Sequence, residues 1–170
     1  RVGNCTNWSE VTAGDYHTCG RRTDGTLWCW GGNQYRQIGV IGGGTEVPVQ
    51  VGIATNWSEL YAGNNHTCGR KTDGALWCWG DNDAGQIGIG STVVQNAPVQ
   101  VGIGTNWSEI RAGYKHTCWG KTDGTLWCWG GNEFGQLGIG GTSQQNSPVQ
   151  VGAGTNWSEL NPGDWHTCGR

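Results

Sequence analysis

Methionine is absent from the 170 residues, phenylalanine occurs once and proline four times. The chain opens on Arg1 rather than Met, and so reads as a processed product or a fragment. Charge is scarce too: 14% of residues are charged, against about 25% in an ordinary globular domain. That is too little, and 12 Trp are too many, for a chain held open by its own polarity. Ten Lys and Arg against 13 Asp and Glu leave a formal charge of -3, which argues against a phosphate-binding surface and hence against a nucleic-acid partner. No apolar run approaches the ~20 residues that span a bilayer, and none resembles a signal-peptide core, so no membrane insertion is expected. Helical periodicity is also missing, since no stretch repeats apolar residues at i, i+3, i+4 and i+7. Gly does not recur at every third position, which excludes collagen.

What the chain has is glycine, tryptophan, cysteine and repetition. Its 33 Gly imply many tight turns. Its 8 Cys, an even and dense set, favour disulfides made in an oxidising, extracellular compartment. The string TNWSE begins at Thr6, Thr55, Thr105 and Thr155, and the second and third copies share about two-thirds of their residues. A period near 50 belongs to arrays and propellers. The array divides into residues 1–5, the end of a preceding repeat, then 6–54, 55–104 and 105–154, and a partial repeat over 155–170. Each full copy reads as four short β segments between Gly-rich turns, so the predicted fold is all-β.

The central hairpin is the best-defined unit. Thr23, Asp24 and Gly25 fit a three-residue loop with Gly in the left-handed position, which sets Cys19 opposite Cys29. The same register pairs Cys68 with Cys78 and Cys118 with Cys128. Opposed residues of a non-hydrogen-bonded antiparallel pair lie about 4.5 Å apart, within disulfide reach. Along LWCW, Leu27 and Cys29 face one way, Trp28 and Trp30 the other. Both faces are apolar, as in blades stacked side by side.

The ordered strings AG-x-x-HTC, TDGTLWCWG-x-N, GQLGIG and PVQV resemble the repeat of the RCC1 (regulator of chromosome condensation) family, particularly its bacterial secreted relatives, over nearly the whole chain. The resemblance implies RCC1-like propeller blades of about 50 residues, forming an incomplete or open propeller in this single chain. It also implies action by protein binding, as in nucleotide exchange on the Ran GTPase, β-lactamase inhibition and dimerisation of a plant ultraviolet photoreceptor. Those specific activities do not carry over. The near-regular loops leave no insertion for Ran exchange, and the photoreceptor's GWRHT appears here as GYKHT, Gly113 to Thr117. The cysteines depart from the nuclear and plant members and point outside the cytosol.

His17, His66, His116 and His166 each lie two residues before a Cys, which could suggest a His, Cys, Cys zinc site. A fourth ligand is missing and the thiols are expected as disulfides, so no metal and no cofactor is predicted. Asp24, Asp73 and Asp123 are accounted for by turn chemistry. Glu10, Glu59, Glu109 and Glu159 read as exposed strand positions, and no catalytic constellation stands out, so the chain is not expected to be an enzyme. Trp8, Trp57, Trp107 and Trp157 suit inter-blade core better than sugar-stacking platforms. Asn4, Asn7, Asn56, Asn65, Asn106 and Asn156 match the glycosylation acceptor pattern and are candidate glycan sites in a eukaryotic secreted chain, with the bulky neighbouring Trp and expected burial weighing against occupancy.

Positions that differ between copies are the better binding candidates. The loop before HTC carries Asp15 and Tyr16, Asn64 and Asn65, Tyr114 and Lys115, and Asp164 and Trp165. A second variable set is Tyr35 and Arg36, Asp83 and Ala84, and Glu133 and Phe134. After three hairpin disulfides, Cys5 and Cys168 are left over and are candidates for a bond between chains. Three function classes follow. The first is an extracellular structural protein that self-assembles head to tail into a ring or filament. The second is a protein-binding module from a larger secreted propeller, and the third, resting on Trp content alone, is a lectin.

Overall fold

The computed structural model describes residues 7–170, with residues 109–112 and 162 described through the backbone. Cys5 and Asn4 lie outside the described residues. Fourteen strands follow one another: β1 (Trp8–Ala13), β2 (His17–Arg22), β3 (Leu27–Gly31), β4 (Thr45–Gln50), β5 (Trp57–Ala62), β6 (His66–Lys71), β7 (Leu76–Gly80), β8 (Gln95–Gln100), β9 (Trp107–Ala112), β10 (His116–Lys121), β11 (Leu126–Gly130), β12 (Gln145–Gln150), β13 (Leu160–Pro162) and β14 (Thr167–Gly169). They form three meandering four-stranded sheets, β1 to β4, β5 to β8 and β9 to β12, and a two-stranded sheet of β13 and β14. The chain is thus an open run of propeller blades. No helix among the described residues is long and apolar enough to cross a membrane.

The hairpin register follows from the turn. Gly25, Gly74 and Gly124 have φ of 78°, 81° and 79°, the left-handed region that a Cβ disfavours. Each would also drive a Cβ to 1.9 Å from the carbonyl oxygen of Thr55, Thr105 or Thr155 at the start of the next repeat. With the turn so fixed, Cys19 faces Cys29, Cys68 faces Cys78 and Cys118 faces Cys128. Each pair is a disulfide with Cα atoms 4.1 Å apart.

Blades adhere through tryptophan. In the first interface Cys19, Leu27, Cys29, Ile38 and Val51 pack against Trp57, Leu60 and Trp79 of the second blade. The second interface repeats this with Cys68, Leu76, Cys78, Ile87 and Val101 against Trp107, Trp119 and Trp129. Trp57 and Trp79 meet at 5.9 Å and Trp107 and Trp129 at 5.9 Å, edge to face. The TNWSE tryptophans Trp57 and Trp107 are therefore interior, while Trp157 is partly buried against the third cluster.

Polar atoms tie the same interfaces. His17 Nε2 lies 2.7 Å from Thr67 Oγ1, His66 Nε2 3.0 Å from Thr117 Oγ1 and His116 Nε2 2.9 Å from Thr167 Oγ1. Each Thr hydroxyl donates back across the interface, to the carbonyl oxygens of Gln37, Gln86 and Gln136 at 2.8, 2.8 and 2.9 Å. A hydroxyl has one proton to give, so Nε2 is the protonated nitrogen and Nδ1 is bare. Burial holds the three imidazoles neutral, pushing His17 and His116 down to about 4 and His66 to about 3.

The expectation that the strand glutamates are exposed is corrected at two positions. Glu10 and Glu59 are half-buried and pair with Arg21 and Arg70 at 3.3 Å. Glu10 also accepts the Leu60 amide of the next blade at 3.1 Å. The first strands of successive blades, β1, β5 and β9, run side by side without mutual backbone ladders, so a side-chain acceptor is needed for that amide.

Candidate functional site

The loops joining first to second strands and third to fourth strands rise on one face, opposite the TDG turns. Both variable sets sit there, and the structure joins them. Lys115 Nζ, before β10, lies 2.5 Å from Asp83 Oδ2, after β7. This pairing raises the Lys115 pKa, the Asp83 hydrogen bond being the main cause. Phe134, after β11, stands 5.3 Å from Trp165, before β14, and Trp165 tilts against Tyr114 at 4.9 Å. Phe134 is 67% exposed and Trp165 45%, so the aromatic cluster touches itself on one side and solvent on the other. A groove of about 210 Å³ between Asp83, Lys115, Glu133, Gln144 and Trp165 runs beside it. At the other end of the face, Tyr16 is 69% and Tyr35 45% exposed.

Not every candidate of this set is available. Asn64 is buried and donates to Asp15 Oδ2, linking the first and second blades. Asn65 is half-buried, while Asp164 remains exposed. Asp15 and Asn64 hold equivalent loop positions of adjacent blades and meet, so a position that varies between copies can vary because its neighbour does.

Cys168 is exposed and free. The acceptor asparagines divide: Asn7, Asn56 and Asn65 are half-buried, whereas Asn106 and Asn156 are exposed, against the expectation of general burial. Asp24 and Asp123 behave as turn residues, each accepting the backbone amide at 3.0 Å and the hydroxyl at 2.6 Å of Thr26 or Thr125. These bonds hold both carboxyls below the usual range. The thiols a zinc ion would need from the hairpins are joined in disulfides, and each interior His Nε2 faces a Thr.

Sequence reasoning missed the role of the Asn and Gln in GGN-x-x-x-Q. Asn33 Nδ2 donates to the carbonyls of Val40 and Gly42 at 2.9 Å, and its Oδ1 accepts Ile38 N at 3.3 Å. Gln37 Oε1 accepts Tyr35 N at 3.0 Å. These buried amides shape the loops that carry Tyr35, Asp83 and Phe134; their recurrence at fixed spacing was the available signal.

Blades of this topology, bonded in this way, define a β-propeller array of the RCC1 type. Two profiles described as regulator of chromosome condensation (RCC1) repeat match the chain, one at residues 8–37, 57–86 and 107–136, the other at 24–69, 73–119 and 123–169. The chain belongs to that family. Among solved structures it is similar to human WBSCR16, at 22% identity and a TM-score of 0.83 over 94% of this chain and 43% of that one. It is also similar to yeast RCC1 (Prp20), solved bound to Kap60, at 20% identity and 0.86 over 95% and 41%. A third likeness is the ectodomain of the Arabidopsis thaliana receptor kinase ACR4, at 19% and 0.56 over 95% and 48%. The chain thus spans less than half the length of each, and the likeness is one of fold. No curated protein matches it.

Proposed function

We propose that the chain is a non-catalytic, disulfide-stapled protein-binding array that works in an extracellular, oxidising compartment. The observation that carries this reading is the cluster of exposed Phe134 and Trp165 with half-buried Tyr114, flanked by the Lys115 and Asp83 pair, on one blade face. Large aromatic side chains at low conformational cost, beside a charged rim, are the chemistry of interface hot spots. The yeast relative is seen with a protein bound, which favours the same use of the fold. Three disulfides support the compartment, since such bonds persist where thiols are not kept reduced. The test is a binding measurement against extracellular proteins of the source, with Phe134→Ala and Trp165→Ala. Each substitution should weaken binding at least tenfold, about 1.4 kcal/mol or more, while the unfolding midpoint stays put.

Self-assembly is a second reading, favoured by the exposed thiol of Cys168 on β14. Head-to-tail contact gives a ring or a filament. Non-reducing electrophoresis with Cys168→Ser and Cys5→Ser separates it from partner binding: a disulfide-linked ladder lost in either variant supports assembly, and monomer throughout contradicts it.

A further inference from the structure

The two sides of the blades differ in how their charges are compensated. On the side of the TDG turns every Asp stands two residues after a cation, Asp24 after Arg22, Asp73 after Lys71 and Asp123 after Lys121. The strand carboxylates Glu10 and Glu59 are held by Arg21 and Arg70. On the loop face, by contrast, Asp15, Asp83, Glu133 and Asp164 are exposed against two cations, Lys115 and Arg36, and both of these are already engaged. Lys115 pairs with Asp83, and Arg36 donates to the Gly42 carbonyl at 3.0 Å. Glu133 and Asp164 have no ion-pair partner among the described residues. The surplus of negative charge therefore lies on the face that carries the aromatic cluster.

One place on that face brings charge and aromatic surface together. The groove of about 210 Å³ holds Asp83, Lys115, Glu133, Gln144 and Trp165. With Asp83 neutralised by Lys115, Glu133 is the uncompensated charge in it, and Trp165 supplies an indole, the ring that attracts cations best. Gln136, 5% exposed, lines the same groove. Its Oε1 accepts Phe134 N at 3.0 Å, while its Nε2 donates to no described residue. In the second blade the equivalent Gln86 Nε2 reaches Asp83 Oδ1 at 3.5 Å. The groove is smaller than the roughly 300 Å³ at which small-molecule sites begin, and its size suits a single long side chain.

We propose that this groove takes an arginine side chain of the partner protein. The guanidinium pairs with the Glu133 carboxylate and stacks on Trp165, and a main-chain carbonyl beside that arginine accepts from Gln136 Nε2. A guanidinium is planar and weakly hydrated, so it satisfies ring and carboxylate together, whereas a lysine ammonium is a compact and strongly hydrated point charge. The same carboxylates repel phosphate, so the occupant is a basic segment of a protein. This occupant presupposes the partner-binding use of the loop face and narrows it to partners that present an exposed arginine.

The probe is the peptide acetyl-Gly-Arg-Gly-amide, and its control carries citrulline, which keeps the length and planarity of arginine and lacks its charge. Each is titrated into the oxidised, isotopically labelled full chain, and the indole N–H of Trp165, identified by its loss in Trp165→Phe, is followed by NMR. The arginine peptide should move this signal saturably. Binding should be at least roughly tenfold weaker for the citrulline peptide, and equally weakened by Glu133→Gln, since a bond to a charged group is lost in each case. Glu46→Gln removes the same charge from β4 and should change the affinity less than roughly twofold, because exposed charges beyond a Debye length are screened. Equal affinities for the two peptides, no movement up to the solubility limit, or equal effects of Glu133→Gln and Glu46→Gln overturn the arginine site. A protein adduct from a photo-cross-linker at position 134, obtained together with any of those results, leaves the partner-binding reading standing and overturns the arginine site alone.

Discussion

At the scale of single residues, the repeats serve as internal controls. Thr26 and Thr125 accept the indole N–H of Trp28 and Trp127 at 2.9 Å, but the second blade has Ala75 there, and Trp77 Nε1 is buried without a partner. Ala75→Thr should therefore stabilise the protein by about 1 kcal/mol, the net value of one hydrogen bond, read as a shift of the urea midpoint. The buried histidines set an acid limit. Their folded pKa values, about 4, 3 and 4 for His17, His66 and His116, lie below the unfolded value near 6.5. Below pH 6.5 the unfolded chain binds protons that the folded one refuses. Stability is thus full above that pH and falls by a few kcal/mol per His as pH drops toward 4. Denaturant titrations at pH 7.5, 5.5 and 4.5 should show this order of midpoints. Thr67→Val, which removes the acceptor for His17 and the donor to Gln37 while keeping shape, should cost about 3 kcal/mol at neutral pH.

At the scale of the element, the hairpin was legible in the sequence and the interface was not. TDG and the Cys spacing act within a dozen residues, so turn geometry alone predicts the pairing of Cys68 with Cys78. The partner of His17 is Thr67, a separation of 50, and that of His66 is Thr117, a separation of 51. A contact whose separation matches the repeat is hidden by the repetition itself. The same cause made Glu10 read as exposed, since its acceptor role is toward Leu60 of the next copy. The disulfides join residues ten apart. The loop-entropy estimate for such a closure is about 3 kcal/mol, and Cys68→Ala with Cys78→Ala should lower the thermal midpoint accordingly, an effect that reduction of the wild-type chain should reproduce.

At the scale of the molecule, the stacked blades present their variable loops on one side and their TDG turns on the other. The all-β blade architecture was readable from period and turn signals. The joining of the two variable loop sets into one aromatic and charged face was not, because Lys115 and Asp83, or Phe134 and Trp165, meet only once blades are stacked. The sharpest test of a partner-binding face is site-specific photo-cross-linking in native, unreduced material. A benzophenone amino acid would be placed at Phe134 in one protein. In another it would replace Ile103, a 97% exposed residue between β8 and β9, on the side of the TDG turns. A face that binds a protein predicts a discrete adduct of higher mass from position 134, containing a second protein, and none from position 103. Equal labelling from both positions, or no adduct from position 134, would contradict it.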